Sequence, residues 1–482
     1  MGSGASVYAR SMTHYDIAVI GSGSGNSLPG PEFADKSIVF IDKGVGSEDS
    51  FGGTCLNVGC IPTKMFVHTA DLARVPEESS RFGLSETLNE VDWPAIRDRV
   101  FGRIDPISEG GQEYRDHNAD NDNLTLIHGL ARFTGEKTLV VESEEGSHEI
   151  SADTIVIAAG SRPAMPPVEG LAEVEPHTSD SVMRLESLPR SMAILGSGFI
   201  AAEFAHVFAS LGVDVTLIAR SQALLRAEDA DISARYSELA VDRYTVEFGF
   251  ATQSVRRTDE GIEIVGSTKE GSRTVTVDEL LVATGRIPNS DLLDVPQAGF
   301  DQHADGRIAV DEYQRVLKNG QPVAGVWALG DISSDYQLKH VANHELRTVK
   351  HNLVHPEALK TSDHRFVPHA VFGHPPIGAV GLTEKQARDQ RIDIVVAHQD
   401  YSSVAYGWAL EDTTGFAKII AERGTGRIVG AHIIGPEAPT LIQILIQAMS
   451  TGQRVQDIVR TQYWIHPAMP ELIENALLQL VD

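Results

Sequence analysis

Only two cysteines occur in the 482 residues, Cys55 and Cys60, five positions apart. A disulfide closing so short a loop adds little chain-entropy stabilisation, and a secreted scaffold would spread more cysteines over larger loops. The pair is therefore read as redox chemistry in a reducing cytoplasm. Residues 65–73 have helix-forming composition and Pro62 is tolerated in a first helical turn, which predicts a helix N-terminus at the cysteines. The positive end of a helix dipole lowers a thiol's pKa and supports a thiolate. A thiol–disulfide cycle also needs a group that protonates a leaving thiolate and takes the proton back. His466, five residues before Glu471, has the right titration range, with the carboxylate to fix its tautomer. Among 18 histidines, sequence distance alone does not single it out. No His or Cys spacing suggests a metal site.

Such chemistry must be positioned, and the chain carries two copies of one positioning device. Tyr15 to Ile20 is a short apolar run of buried-strand type leading into Gly21-Ser22-Gly23-Ser24-Gly25-Asn26. A second strand, Ser37 to Ile41, ends at Asp42. Glycines so spaced let the backbone approach a pyrophosphate, and an acid about twenty residues on binds a ribose hydroxyl. The third glycine position holds Asn26, and Pro29-Gly30-Pro31 interrupts the next helix, which is expected to be short or irregular.

The second copy runs from Ser191 to Leu195, through Gly196, Gly198 and Ala201, along a helix to Ser210 and a strand from Val213 to Ile218. It ends on Ala219-Arg220 with no acid. Arg220 and Arg226 stand where an adenosine 2′-phosphate would sit, and a guanidinium suits phosphate. The bland alternative is two solvated arginines; the missing acid favours NADPH over NADH. Thr154 to Pro163 and Glu279 to Asn289 bracket this fold as paired crossing points between domains. Val326 to Leu329 is a further buried strand, ending at Gly330-Asp331 and suited to a polar part of a flavin.

The length predicts about three domains at roughly 150 residues each. With 42% hydrophobic and 22% charged residues, the composition is that of a soluble globular protein. Forty basic against 67 acidic residues, a formal charge of −27, disfavour a nucleic-acid partner. No apolar run nears the roughly 20 residues of a membrane span, and the N-terminus lacks a signal-peptide pattern. Residues 1–11 have the small-residue composition of a vector-derived tail, with Met12 as the expected native start.

Six motifs in order resemble those of the pyridine nucleotide–disulfide oxidoreductases, over Tyr15 to Glu471. They are the two glycine loops, Gly52-Gly53-Thr54-Cys55 with Asn57-Val58-Gly59-Cys60 and Pro62, Ala283-Thr284-Gly285-Arg286 with Pro288-Asn289, Gly330-Asp331, and His466-Pro467 with Glu471. Val367 to Phe372, Gly378 to Thr383 and Gly430 to Gly435 are similar to that family's interface domain. The resemblance implies an α/β fold with two Rossmann-like dinucleotide-binding domains, the second inserted in the first, and an α+β C-terminal dimerisation domain. The implied boundaries are 12–160 with 285–352 for FAD, 161–284 for NADPH and 353–482 for the interface.

By the same resemblance, Cys55 is the interchange thiol that attacks substrate and Cys60 the charge-transfer thiol against the flavin. His466, oriented by Glu471, is the acid/base reaching across a homodimer, and Lys64 with Glu203 an ion pair near the flavin N5. Asp42 would bind the adenosine ribose and Asp331 the ribityl chain. The rest of the cofactor sites would draw on Lys43, Gly53, Thr54, Ala159, Gly160, Lys339, His340, Gly285 and Arg286.

Gly21 to Ser27, Cys60 to Phe66, Lys339 to Glu345 and Gln462 to His466 resemble the mycothione-reducing branch, which makes mycothione the expected small disulfide substrate. A dihydrolipoamide dehydrogenase runs the same cycle in the oxidising direction, but typically has an acid where Arg220-Ser221 stands. Mercuric and high-molecular-weight thioredoxin reductases need C-terminal redox residues that Ala476 to Asp482 does not supply. A non-catalytic assembly subunit would need neither both cysteines nor the His–Glu pair.

Overall fold

The structure is a computed structural model and describes residues 12–481; the tail read at 1–11 lies outside the described residues. The chain divides into two compact units. Among the described residues, one comprises 12–62, Arg99–Pro163 and Arg286–Ser362, the other Thr63–Asp98, Ala164–Gly285 and 363–481.

In the first unit, five parallel strands lie in the order Leu124–Gly135, Ile38–Asp42, Thr13–Ile20, Gly146–Ile157 and Gln321–Ala328. The apolar runs Ile17–Ile20, Ile38–Ile41 and Ile155–Ile157 within them are buried, as strands covered on both faces require. Ala18, Ile20, Val39 and Ile41 enter one apolar cluster, while Ile17, Val19, Ile38 and Phe40 enter a second. The register sets Ile20 beside both Ile41 and Ile157, and Ile157 beside Ala328. Gly21, Asp42, Ala158 and Leu329-Gly330-Asp331 therefore leave the sheet at one edge. Such a carboxyl edge is where an open α/β sheet binds its ligand.

After the glycine loop the expected irregularity is present: two single 3₁₀ turns, Gly25–Ser27 and Pro31–Phe33, stand where a helix would run. Pro29 and Pro31 lack the N–H groups a helix there would need. Three helices follow, α1 (Gly53–Asn57), α2 (Cys60–Ser79) and α3 (Trp93–His117). The crossing points pair as a short antiparallel ladder, Ser161–Pro163 with Arg286–Pro288.

The second unit repeats the parallel design in four strands, ordered Glu279–Val282, Ser191–Leu195, Asp214–Ala219 and Thr245–Phe248. Its helices are α4 (Phe199–Ser210) and α5 (Ala230–Val241). Leu195 lies beside Ile218 and Val282, so Gly196, Arg220 and Ala283-Thr284-Gly285 share one edge. A three-stranded antiparallel sheet, Ala251–Thr258, Gly261–Thr268 and Gly271–Val277, contributes to the same apolar core. The C-terminal part is a five-stranded antiparallel sheet packed with the helices Ala438–Thr451 and Pro470–Leu478.

Candidate active site

Cys60 is the first residue of α2, but Cys55 lies inside α1, a separate helix of five residues. The expectation of one helix N-terminus for both thiols is corrected in this respect. Both are free thiols, Cys60 exposed and Cys55 partly buried. The hydrogen bond between Cys55 and Cys60, then burial, push the Cys55 thiol well above the usual range, while Lys339 pulls it back. The net shift at Cys55 is therefore upward, opposite to the lowering expected at a helix N-terminus. A one-turn helix offers little dipole, and a thiol paired with a neighbouring sulfur keeps its proton.

The glycine loop and the cysteine segment are tied together through Ser22. Its N–H donates to Asp42 Oδ1 at 2.9 Å, and its hydroxyl accepts from Gly52 N–H at 2.7 Å. Asp42 also accepts from Gly44 N–H at 3.1 Å. Burial pushes its carboxyl up, and these amides offset only part of that. A Cβ on Gly53 (φ +74) would stand 2.6 Å from the Gly23 Cα, and one on Gly21 (φ +103) 2.3 Å from the Ala158 carbonyl oxygen. Only glycine permits both the turn and the contact.

At the same edge Asp331 Oδ2 accepts from the Ser161 hydroxyl at 2.6 Å, and Arg286 donates to that hydroxyl at 2.8 Å. Asn289 Nδ2 donates to the Ala159 carbonyl at 2.8 Å. Lys339 and His340 open the helix Lys339–Val354, Thr54 lies in α1, and Lys43 is exposed beside Asp42. A Cβ on Gly23 or Gly160 would meet nothing within 4 Å, so both backbones border open space. The Gly23 and Gly160 backbones therefore leave room for a ligand at the edge that carries Asp42 and Asp331.

In the second unit Lys64 Nζ pairs with Glu203 at 2.6 Å, with the Glu203 side chain 4% exposed. Glu203 also accepts from Phe372 N–H at 3.0 Å, and Lys64 lies 4.8 Å from the centre of the Phe372 ring. His466 Nδ1 meets Glu471 Oε1 at 2.7 Å, with the imidazole side chain 70% exposed. A carboxylate accepts only, so Nδ1 donates and Nε2 is left to take a proton. Gly198 precedes α4 and borders open space, as does Gly285, while Ala201 is buried in α4. Arg220 and Arg226 are exposed after the strand Asp214–Ala219, and among the described residues neither has an ion-pair partner.

Sequence reasoning missed Phe372, Asn289 and Arg115. Phe372 and Asn289 lie in motifs that were noticed, but as markers of an interface and a crossing rather than as contacts. Arg115 donates to Asn26, and no local pattern marks it.

Residues 15–345 match the family model for pyridine nucleotide-disulphide oxidoreductases, and residues 367–477 match that of the family's dimerisation domain. The chain belongs to the pyridine nucleotide-disulphide oxidoreductases. It is 48% identical over 476 residues to a mycothione reductase of Mycobacterium tuberculosis, covering 97% of this chain and 100% of that one. It is 33% identical to a mercuric reductase of Streptomyces lividans, over 94% of this chain and 93% of that one. To a dihydrolipoyl dehydrogenase of Mycobacterium leprae it is 30% identical, over 98% and 99%. Among solved structures it is similar to an HOCl-induced flavoprotein disulfide reductase of Escherichia coli. The TM-score is 0.84 and the identity 27%, over 98% of this chain and 100% of that one.

As a member of this family the chain is an NAD(P)H-dependent disulfide oxidoreductase that uses FAD. When bound, the flavin passes two electrons between the pyridine nucleotide and the cysteine pair. The open backbone at Gly23 and Gly160, with Asp42 and Asp331 on the same edge, fits FAD. The open backbone at Gly198 and Gly285 fits the nicotinamide cofactor.

Proposed function

We propose that the chain reduces mycothione to two molecules of mycothiol with NADPH as electron donor. The observation that carries this is the likeness along the full length to mycothione reductase, well above that to the dihydrolipoyl dehydrogenases. The exposed, unpaired Arg220 and Arg226 support the phosphorylated nucleotide, because they leave two guanidinium groups for a 2′-phosphate.

In this reading the Cys55 sulfur attacks one sulfur of the substrate disulfide. A mixed disulfide forms, the substrate S–S bond breaks, and the departing thiolate takes a proton from His466. The Cys60 thiolate then attacks Cys55, the second thiol leaves, and the Cys55–Cys60 disulfide closes. Two electrons from NADPH, with two protons, return the pair to thiols.

Exposure alone would choose Cys60 as the attacking thiol; the motif assigns the attack to Cys55. The raised Cys55 thiol needs a base before it can attack, and a carboxylate-oriented imidazole is such a base. The Lys64–Glu203 pair is given an electrostatic role toward the flavin. The dimerisation-domain match and the exposed imidazole support a homodimer in which His466 serves the cysteine pair of the partner subunit. The domain division 12–160 with 285–352, 161–284 and 353–482, and a cytoplasmic site of action, belong to the same reading.

The test is kcat/KM for mycothione, glutathione disulfide and lipoamide, each with NADPH and NADH. Mycothione with NADPH should rank first. Preference for lipoamide with the unphosphorylated nucleotide would make the chain a dihydrolipoyl dehydrogenase, and no turnover at all an assembly subunit.

A further inference from the structure

We propose that Arg115 is a positioning residue for the flavin-binding loop, supplying the support that a regular first helix would give. The inference rests on reading Gly21 to Asn26 as that loop. In a regular dinucleotide fold, a helix continuing from the glycines satisfies the loop carbonyls and aims its positive end at the pyrophosphate. Here the residues after the loop form only two 3₁₀ turns.

The Asn26 carbonyl shows what is lost. In a 3₁₀ turn its partner would be the N–H of residue 29, but Pro29 has none. Arg115, in the last turn of α3, takes the place of that donor. Its Nη2 donates to the Asn26 carbonyl at 2.5 Å and its Nε to the Asn26 side-chain oxygen at 2.8 Å. Its Nη1 donates to Asn121 Oδ1 at 3.1 Å, which fixes the guanidinium plane from the far side. One planar fork thus grips a single loop residue twice, a match that arginine makes and lysine does not. It also brings a positive charge to the loop where a helix dipole would have been.

The same face of α3 holds the cysteine segment. Ser108, seven residues before Arg115 and so two turns away, donates to the Phe51 carbonyl at 2.6 Å. Phe51 stands next to Gly52, whose N–H is bound by Ser22 of the loop. One helix face therefore sets the loop and the redox segment together, with Arg115 as its charged contact.

The test measures FAD binding to apoprotein by quenching of flavin fluorescence, with the apoprotein melting temperature as control. Wild-type apoprotein should take up one FAD per chain. Arg115→Gln should raise the dissociation constant about ten- to a hundredfold, the range for a lost hydrogen bond from a charged group. Asn26→Ala keeps the carbonyl grip and should raise it about threefold to tenfold. Combined with Arg115→Gln, Asn26→Ala should add little, because both act through one contact.

Unchanged FAD binding in Arg115→Gln, even with a lower melting temperature, would overturn the proposal and leave Arg115 a purely structural residue. If Arg115→Gln does not fold, Asn26→Ala decides, and an unchanged dissociation constant there overturns it equally. Wild-type apoprotein that binds no FAD would sink the flavin reading itself, a failure distinct from that of the clamp.

Discussion

At the scale of single residues, the chemistry turns on which sulfur holds its proton. Cys55 is hydrogen-bonded to Cys60 and partly buried, and both push its thiol above the usual range. Serine cannot form the mixed disulfide, so Cys55→Ser should retain flavin reduction by NADPH but lose disulfide turnover; normal turnover would overturn its role. Cys60→Ser should abolish the long-wavelength absorbance of the anaerobically two-electron-reduced enzyme, and survival of that band would reassign the thiol. His466→Ala should leave flavin reduction near normal and slow the disulfide step by roughly 100- to 10,000-fold, the span of a general acid/base. For nucleotide choice, Arg220→Ala with Arg226→Ala should reduce the preference for NADPH about a hundredfold, from two lost charge-assisted contacts. A wild-type enzyme indifferent to the 2′-phosphate would contradict that assignment.

At the scale of elements, an ion cluster around the buried Lys418 fastens three segments of the second unit. Lys418, in the strand Phe416–Glu422 with its side chain 3% exposed, reaches Asp229 at 2.8 Å, Asp231 at 2.6 Å and Glu384 at 2.8 Å. Asp229 is the N-cap of α5, and Glu384 opens the helix Glu384–Asp389. Lys418→Met strands the Asp229 carboxylate, 1% exposed, and should lower stability by about 3–5 kcal/mol. Thermal or denaturant unfolding would show the loss; a variant as stable as wild type would contradict it. Burial raises the Asp229 pKa, but the Lys418 bond and the Glu384 amide more than offset this, so the folded value is depressed. Its contribution is therefore fully present above the unfolded carboxyl pKa of about 3.9 and is lost only as acid passes the lower folded value.

Elements like the parallel strands were legible in the sequence because their apolar runs and terminal glycines are local patterns. The broken first helix was legible for the same reason, through Pro29 and Pro31. Lys418 was not, since 189 positions separate it from Asp229, and neither was Arg115, 89 positions from Asn26. The separate α1 around Cys55 was also missed; a single turn leaves no periodicity to read.

At the scale of the whole molecule, the sequence separates Cys55 and His466 by some four hundred residues, and the account joins them across two copies of the chain. Mixing Cys55→Ser chains with His466→Ala chains and allowing subunit exchange should restore activity, since each mixed dimer holds one intact composite site. Mixed dimers confirmed by mass that remain inactive would rule out a shared site. If NADPH oxidation drives cleavage of mycothione at Cys55, the product count shows it. NADPH oxidised and thiol released should be measured together, with mycothione as the only acceptor and oxygen excluded. The wild-type enzyme should release two thiols per NADPH, and Cys55→Ser none. NADPH oxidation without thiol release, or undiminished release by Cys55→Ser, would contradict it.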